Sequence, residues 1–326
     1  MKRRVPGPAM TTRKVPLSAM KIVIPDLISN SYFPSIAAVE LGFFREEGLD
    51  VELELLFPVD RSFKALRDGE ADFVGGSSHS ILAAFPDWKG AKLLGALGQG
   101  MYWFLIMRAD LNAKRGDVGV VKGKKIGAAP WVDLGLKKLL ADAGIDEKRD
   151  NVTVMPVPGS LNAGVSFGVN AAKALEDGII DGFWANGMGA EVAVQRGIGT
   201  MVLDIRRGDG PKQAFGYTFA GLATTSKLVE EKPEVAAGAV RALVKAQNAL
   251  KRDSNLATKA AEKHFPAFET SLIAELIRRD LPFYDPSISR ETIEAMSQFG
   301  LDMGLSQKPA VYEDLVTTQF SDLWKA

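Results

Sequence analysis

ALRDGEADF, residues 65–73, returns as ALEDGIIDGF, residues 174–183. In each copy a segment with helical apolar spacing stops at a glycine, and an aspartate three residues later opens a short apolar run. A glycine just past the last turn takes the left-handed conformation without a Cβ clash, so it marks a helix stop. Each copy therefore predicts helix, cap and strand. That grammar is common in α/β chains, so the match carries weight only if the flanking segments correspond as well.

They do correspond. Before the first copy come the apolar strand KIVIPDL, the break ISNSYFP, the helix SIAAVELGFFREEGL and the alternating strand DVELELLF. After it come the strand ADFVGG, a helix over SHSILAAFPDW and the strand KLLGALGQG. Around the second copy the series is KKIGAAP, WVDLGLKKLLADAGI, NVTVMPV, AGVSFGVNAAKALEDG, IIDGFWANG, GAEVAVQRG and TMVLDI. Gly48-Leu49-Asp50 recurs as Gly144-Ile145-Asp146. Alternation of periods near 2 and 3.6 predicts open α/β sheets with crossover helices, written twice. A first crossing near 101–107 and a return crossing over YTFAGLATT join the two series. Pro233 suits the first turn of a long helix over about 233–252, and the remainder to 326 reads as further helices separated by Pro282, Pro286 and Pro309.

Composition narrows the function. The 326 residues are 46% hydrophobic and 25% charged, an ordinary globular balance for two lobes. Forty basic residues meet forty acidic ones, which speaks against a general nucleic-acid surface. There is no cysteine and there are only two histidines, His79 and His264. Disulfides, thiol catalysis and a multi-histidine metal site are thereby excluded, and neither metal nor cofactor is expected. GMG, GIG and KGKKIG lack the dinucleotide and P-loop spacings. Residues 1–20, basic and proline-bearing without an apolar run, read as a flexible tail with no secretory signal.

The chain resembles the periplasmic solute-binding proteins of nitrate, sulfonate, bicarbonate and taurine ABC transporters, a superfamily shared with thiamine-pyrimidine-precursor synthases. The resemblance covers residues 21 to about 322. It is carried by SNSYFPSIAAVELGFFREEGLDVEL, ALRDGEADFVGGSSHSILAA, ALEDGIIDGFWANGMGAEVA and LVEEKPEVAAGAVRALVKA. It implies an α/β, two-lobe periplasmic-binding-protein-like (type II) fold with a hinge of two crossings and a C-terminal helical tail. Residues 21–105 with 218–326 would form one lobe and 106–217 the other. It also implies a periplasmic monomer that serves an ABC permease and ATPase. The absence of a visible signal leaves the cytoplasm as the alternative.

Ligands of open α/β sheets bind beyond the carboxyl ends of the strands, where helix N-termini offer free N–H groups. Four loops qualify, and the family's contacts fall in the same loops. They supply Ser29, Asn30, Ser31 and Tyr32; Ser77, Ser78 and His79; Trp131 and Asp133; and Asn186 and Met188. Tyr102 on the first crossing, and Tyr217 on the return, are aromatic candidates for stacking on a planar ligand. Trp103 reads as core. His79 reads as a neutral hydrogen-bonding residue, and Asp26 as a helix cap. No arginine stands in the four loops, which disfavours a multiply charged anion. The expected function is capture of a small anion or small organic solute by hinge closure, without catalysis. The alternative is a cytoplasmic enzyme of the pyrimidine-precursor-synthase type, although that family carries a cysteine-rich motif and this chain has none.

Overall fold

The computed structural model describes residues 19–160 and 166–325. Residues 1–18 and 161–165 lie outside it, and with them most of the expected tail and the start of the segment AGVSF. Met20 already belongs to the first strand.

Ten strands form two five-stranded sheets of the same order among the described residues. The first holds β1 (Met20–Ile24), β2 (Val51–Leu55), β3 (Phe73–Ser77), β4 (Ala91–Gly98) and, much later in the chain, β10 (Ala220–Thr225). The second holds β5 (Phe104–Arg108), β6 (Lys125–Ala128), β7 (Thr153–Met155), β8 (Gly182–Ala185) and β9 (Gly199–Asp204). The orders are β2-β1-β3-β10-β4 and β7-β6-β8-β5-β9. In the first sheet β1, and in the second β6, pairs in parallel with its two neighbours. In each, the strand arriving from the other half is inserted antiparallel before the last one. The chain leaves the first sheet after β4 to enter the second as β5, and leaves the second after β9 to enter the first as β10. The two halves therefore exchange one strand each. The two equivalent halves are those expected from the repeat, in the two-sheet, periplasmic-binding-protein-like arrangement that the resemblance implies.

The repeated phrase has one structural job in both places. Gly69 (φ 77°) and Gly178 (φ 68°) take the left-handed conformation. The N–H groups of Glu70 and Ile179 return to the carbonyls of Ala65 and Ala174, each at 2.9 Å. The aspartates three residues on then clamp the starts of β1 and β6. Asp72 accepts from the Lys21 N–H at 2.8 Å, and Asp181 accepts from the Lys125 N–H at 2.9 Å. Gly48 and Gly144 match in the same way, with Leu49 and Ile145 donating to the carbonyls of Phe44 and Leu140.

One correspondence fails locally. SHSILAAFPDW is no α-helix but two short 3-10 turns, Ser78–Ala83 and Pro86–Trp88. Ser-His-Ser is a weak helix start, and Pro86 with left-handed Asp87 and Trp88 stops any continuation. The C-terminal helices Pro233–Arg252, Ala267–Asp280 and Arg290–Asp302 close the structure. Two register shifts in the β10–β4 ladder skip Leu94 and Leu97. Their carbonyls are taken by Trp324 Nε1 at 3.0 Å and Gln247 Nε2 at 3.1 Å, so the tail completes the hydrogen bonding of the sheet it covers.

Candidate functional site

The carboxyl ends of β1, β2, β6 and β8 face one another across a small cavity. It is lined by Pro25, Asp26, Tyr32, Phe57, Val59, Tyr102, Trp103, Ala129, Pro130, Val132, Phe167, Ala185 and Asn186. The space is narrow, about 40 Å³, and side chains of the two halves touch across it. Wider hollows lie on the outer surface, one of about 690 Å³ beside Arg67 and Lys232 on the first sheet's flank and one of about 420 Å³ beside Trp131, Asp133 and Met155 on the second sheet's side. We place the candidate site in the smaller cavity because both sheets aim their strand ends at it.

Asp26 follows β1 and is 8% exposed. Its Oδ1 accepts the Ile28 N–H at 3.0 Å. Its Oδ2 accepts across the cleft from Ser166 Oγ at 3.2 Å and from Asn186 Nδ2 at 2.8 Å. The two donors converge because the helices Phe167–Glu176 and Gly187–Gln195 pack at glycines. A Cβ on Gly189 would lie 2.6 Å from the backbone of Gly168. Burial pushes the carboxyl of Asp26 up to about 6, against the pull of these three hydrogen bonds. Asp26 caps no helix, contrary to the sequence reading; it spans the cleft.

Opposite it, the Tyr32 and Tyr102 hydroxyls hydrogen-bond at 2.7 Å with their rings edge to face. Burial holds both phenols above the usual range. Ser77 stands beside the pair, with its hydroxyl 3.0 Å from that of Ser80. Phe57 and Phe167 stack across the cleft with centroids 6.4 Å apart.

Of the residues expected at a ligand, Tyr32, Tyr102 and Asn186 line the cavity. The others stand elsewhere. Ser29, Asn30, Ser31, Ser77, Ser78, His79 and Met188 are buried behind the wall. Ser29 Oγ accepts the Ser31 N–H and so shapes its own turn. Asn30 donates to Asp280, and its carbonyl accepts from the Tyr284 hydroxyl at 2.6 Å. His79 Nε2–H donates to the Trp131 carbonyl and Nδ1 accepts from Thr218, each at 3.0 Å. Burial lowers the imidazole to about 4, so it is neutral near pH 7. Trp131 has φ 70° and ψ −34°. That turn sends its ring away from the cavity, tilted 6.1 Å from His79, while its neighbours Pro130 and Val132 face inward. Asp133 pairs with Lys137 at 2.7 Å on an outer face. Tyr217 donates to Asp142 and stacks on Phe299, off the cleft. Sequence reasoning did not place Phe57, Val59 or Phe167 at the site. Their signal was present in an apolar residue just beyond each strand or before each helix, but nothing local distinguished it from core.

The sequence matches the family described as NMT1/THI5 like over residues 29–255. The chain belongs to that family. Solved structures share the fold at low identity. The alkanesulfonate-binding protein SsuA from Xanthomonas axonopodis pv. citri, bound to MOPS, superposes with TM-score 0.68 at 14% identity, over 91% of this chain and 97% of that one. The periplasmic nitrate-binding protein NrtA from Synechocystis PCC 6803 gives 0.67 at 15%, over 94% and 87%. The desulfurization enzyme DszB, as a cysteine-to-serine mutant in complex with biphenyl-2-sulfinic acid, gives 0.66 at 16%, over 94% and 99%. No curated protein matches the sequence significantly. This NMT1/THI5-like chain thus shares its architecture with binding proteins and with an enzyme, and no described helix is long and apolar enough to cross a membrane.

Proposed function

We propose that this protein is the solute-binding component of an ABC importer and captures one small organic solute between its two sheets. The observation that carries the reading is the Asp26 bridge. A residue after β1 holds donors that precede two helices of the other sheet, so closing the cleft and assembling its wall are one event. Hinge closure of this kind needs only differential contacts in the closed state. The lobes would be residues 21–105 with 218–326, and 106–217, moving about the two crossings. The protein would act in the periplasm as a monomer and present the closed form to a permease and its ATPase. The fold shared with the anion-binding proteins SsuA and NrtA supports the transport role.

DszB favours a second reading, an enzyme on the same scaffold. Against it, the chain has no cysteine, and both ring nitrogens of the histidine nearest the cleft are already hydrogen-bonded. Native mass spectrometry of gently purified protein, followed by small-angle scattering with and without the released solute, tests the proposal. A one-to-one retained solute and a smaller radius of gyration in its presence are expected. Conversion of the solute to a new mass would instead establish the enzyme.

A further inference from the structure

We propose that Asp26 selects the solute and that the solute is a small organic cation, an amine, amidine or protonated nitrogen heterocycle, that donates a hydrogen bond to this carboxylate. The inference rests on the binding reading above and names the chemistry of the same cleft.

Three observations converge. The first is the carboxylate itself. An ionised carboxylate offers about four acceptor sites. Among the described residues Asp26 spends three of them on Ile28, Ser166 and Asn186, and it lines the cavity, so one site is left for a donor from within. Its elevated pKa reflects a desolvated acid whose charge lacks a cation, and a cationic solute would supply that partner.

The second is the absence of a competing cationic side chain. No lysine, arginine or histidine lines the cavity among the described residues. The nearby guanidinium of Arg206 stands behind the Tyr102 ring at 5.4 Å and is paired with Asp280 at 3.1 Å. An anion entering this cleft would meet a buried carboxylate and, among the described lining residues, no cationic side chain; the helix N-termini at Phe167 and Gly187 already face Asp26 through Ser166 and Asn186.

The third is the wall. Tyr32, Phe57, Tyr102, Trp103 and Phe167 surround the space. Aromatic faces carry negative electrostatic potential, so a flat cation that stacks on any of these rings is favoured over an anion. Carboxylate and rings therefore select the same sign. This departs from the alkanesulfonate and nitrate named for two proteins of the same fold, whose 14% and 15% identities leave their clefts free to differ.

The test uses three probes of one shape and three charges: benzamidine, benzamide and benzenesulfonate. Each is titrated calorimetrically into the full chain and into Asp26→Asn, with circular dichroism confirming that the variant folds. The expected result is at least about tenfold preference of the native chain for benzamidine over benzenesulfonate, since a charge-assisted bond is at stake. Asp26→Asn should lose about tenfold or more for benzamidine while benzamide changes by less than about threefold. Preference for benzenesulfonate, or an unchanged benzamidine affinity in the variant, would overturn the assignment and leave the transport reading standing. If no probe binds, the charge of the natively retained solute decides: a cation upholds the assignment and an anion overturns it. Absence of both probe binding and a retained solute would remove the binding reading and this inference with it.

Discussion

Asp280→Asn should cost about 3 kcal/mol of folding stability, a large effect for the loss of one charge. Asp280 ends the helix Ala267–Asp280, and its side chain is 1% exposed, as is that of Arg206. Its Oδ2 accepts from Arg206 Nη1 at 3.1 Å and from the Asn30 amide. Arg206 also donates through Nε to the Gln99 carbonyl at 2.8 Å, at the start of the first crossing, and lies between the rings of Tyr102 and Phe283. Neutralising one member of such a pair leaves the other charge buried and uncompensated, at about 3–5 kcal/mol. Relief of a carboxylate at a helix C-terminus returns about 0.3–1 kcal/mol, which sets the expectation at the lower end. Urea unfolding followed by tryptophan fluorescence measures it. Replacing both partners, Arg206→Met with Asp280→Leu, should recover most of the loss, because the desolvation cost of two ions disappears with them. A single-variant loss below about 1 kcal/mol, or a double variant as unstable as the sum of the singles, would refute the claim that the pair is dry and mutually dependent.

Four further outcomes follow from the same geometry. Gly69→Ala and Gly178→Ala should each lose about 1–2 kcal/mol in chemical denaturation, because both positions hold φ near +70° and a new Cβ would meet nothing within 4 Å. Tyr32→Phe should cost about 0.5–1.5 kcal/mol by removing its hydrogen bond to the Tyr102 hydroxyl, which keeps Ser77 beside it, and Tyr32→Phe with Tyr102→Phe should cost less than the two single changes added, because they share that bond. Trp131→Ala should leave benzamidine affinity within about threefold, since the ring lies off the cavity; a loss of tenfold would return Trp131 to the site. The last concerns pH. His79 is lowered to about 4 in the fold, so the unfolded chain binds its proton first, and stability held above pH 6.5 is lost as pH falls toward 4. Asp26 is raised to about 6, so the folded chain binds that proton first, and stability present below its unfolded value near 4 is lost as pH rises through 6. The two slopes oppose each other between pH 4 and 6. Relative to the native chain, Asp26→Asn should become steeper in its acid loss and His79→Phe shallower; parallel pH profiles of melting temperature in all three proteins would contradict this.

Much of the fold was legible because its signals are local. A glycine that must be left-handed, an aspartate that must meet a strand's first N–H and an apolar period are all written within a few residues. The two copies of ALxDGxxD therefore announced two equivalent halves, and Pro233 announced the 20-residue helix that it opens. Tyr32, Tyr102 and Asn186 were legible at the cleft for a similar reason: strand ends and crossings are where such folds place ligands. The 3-10 turns over Ser78–Trp88 were misread as helix because apolar spacing outweighed Pro86 and two left-handed residues.

The roles of Asp26, His79 and Trp131 belong to the tertiary structure. Asp26 meets Ser166 and Asn186 over sequence separations of 140 and 160 residues, and no local pattern encodes which donors a carboxylate will find across a cleft. His79 and Trp131 meet at a separation of 52 residues, where the imidazole takes the Trp131 carbonyl and the left-handed turn sends the indole outward. The sequence by itself determined two matched α/β series, their crossings and the exclusion of thiol and multi-histidine metal chemistry, because residue type and short-range spacing suffice for these. Only the tertiary structure decided which side chains wall the cavity and which sign of charge it presents, because desolvation and long-range hydrogen bonding exist only once the two sheets face each other.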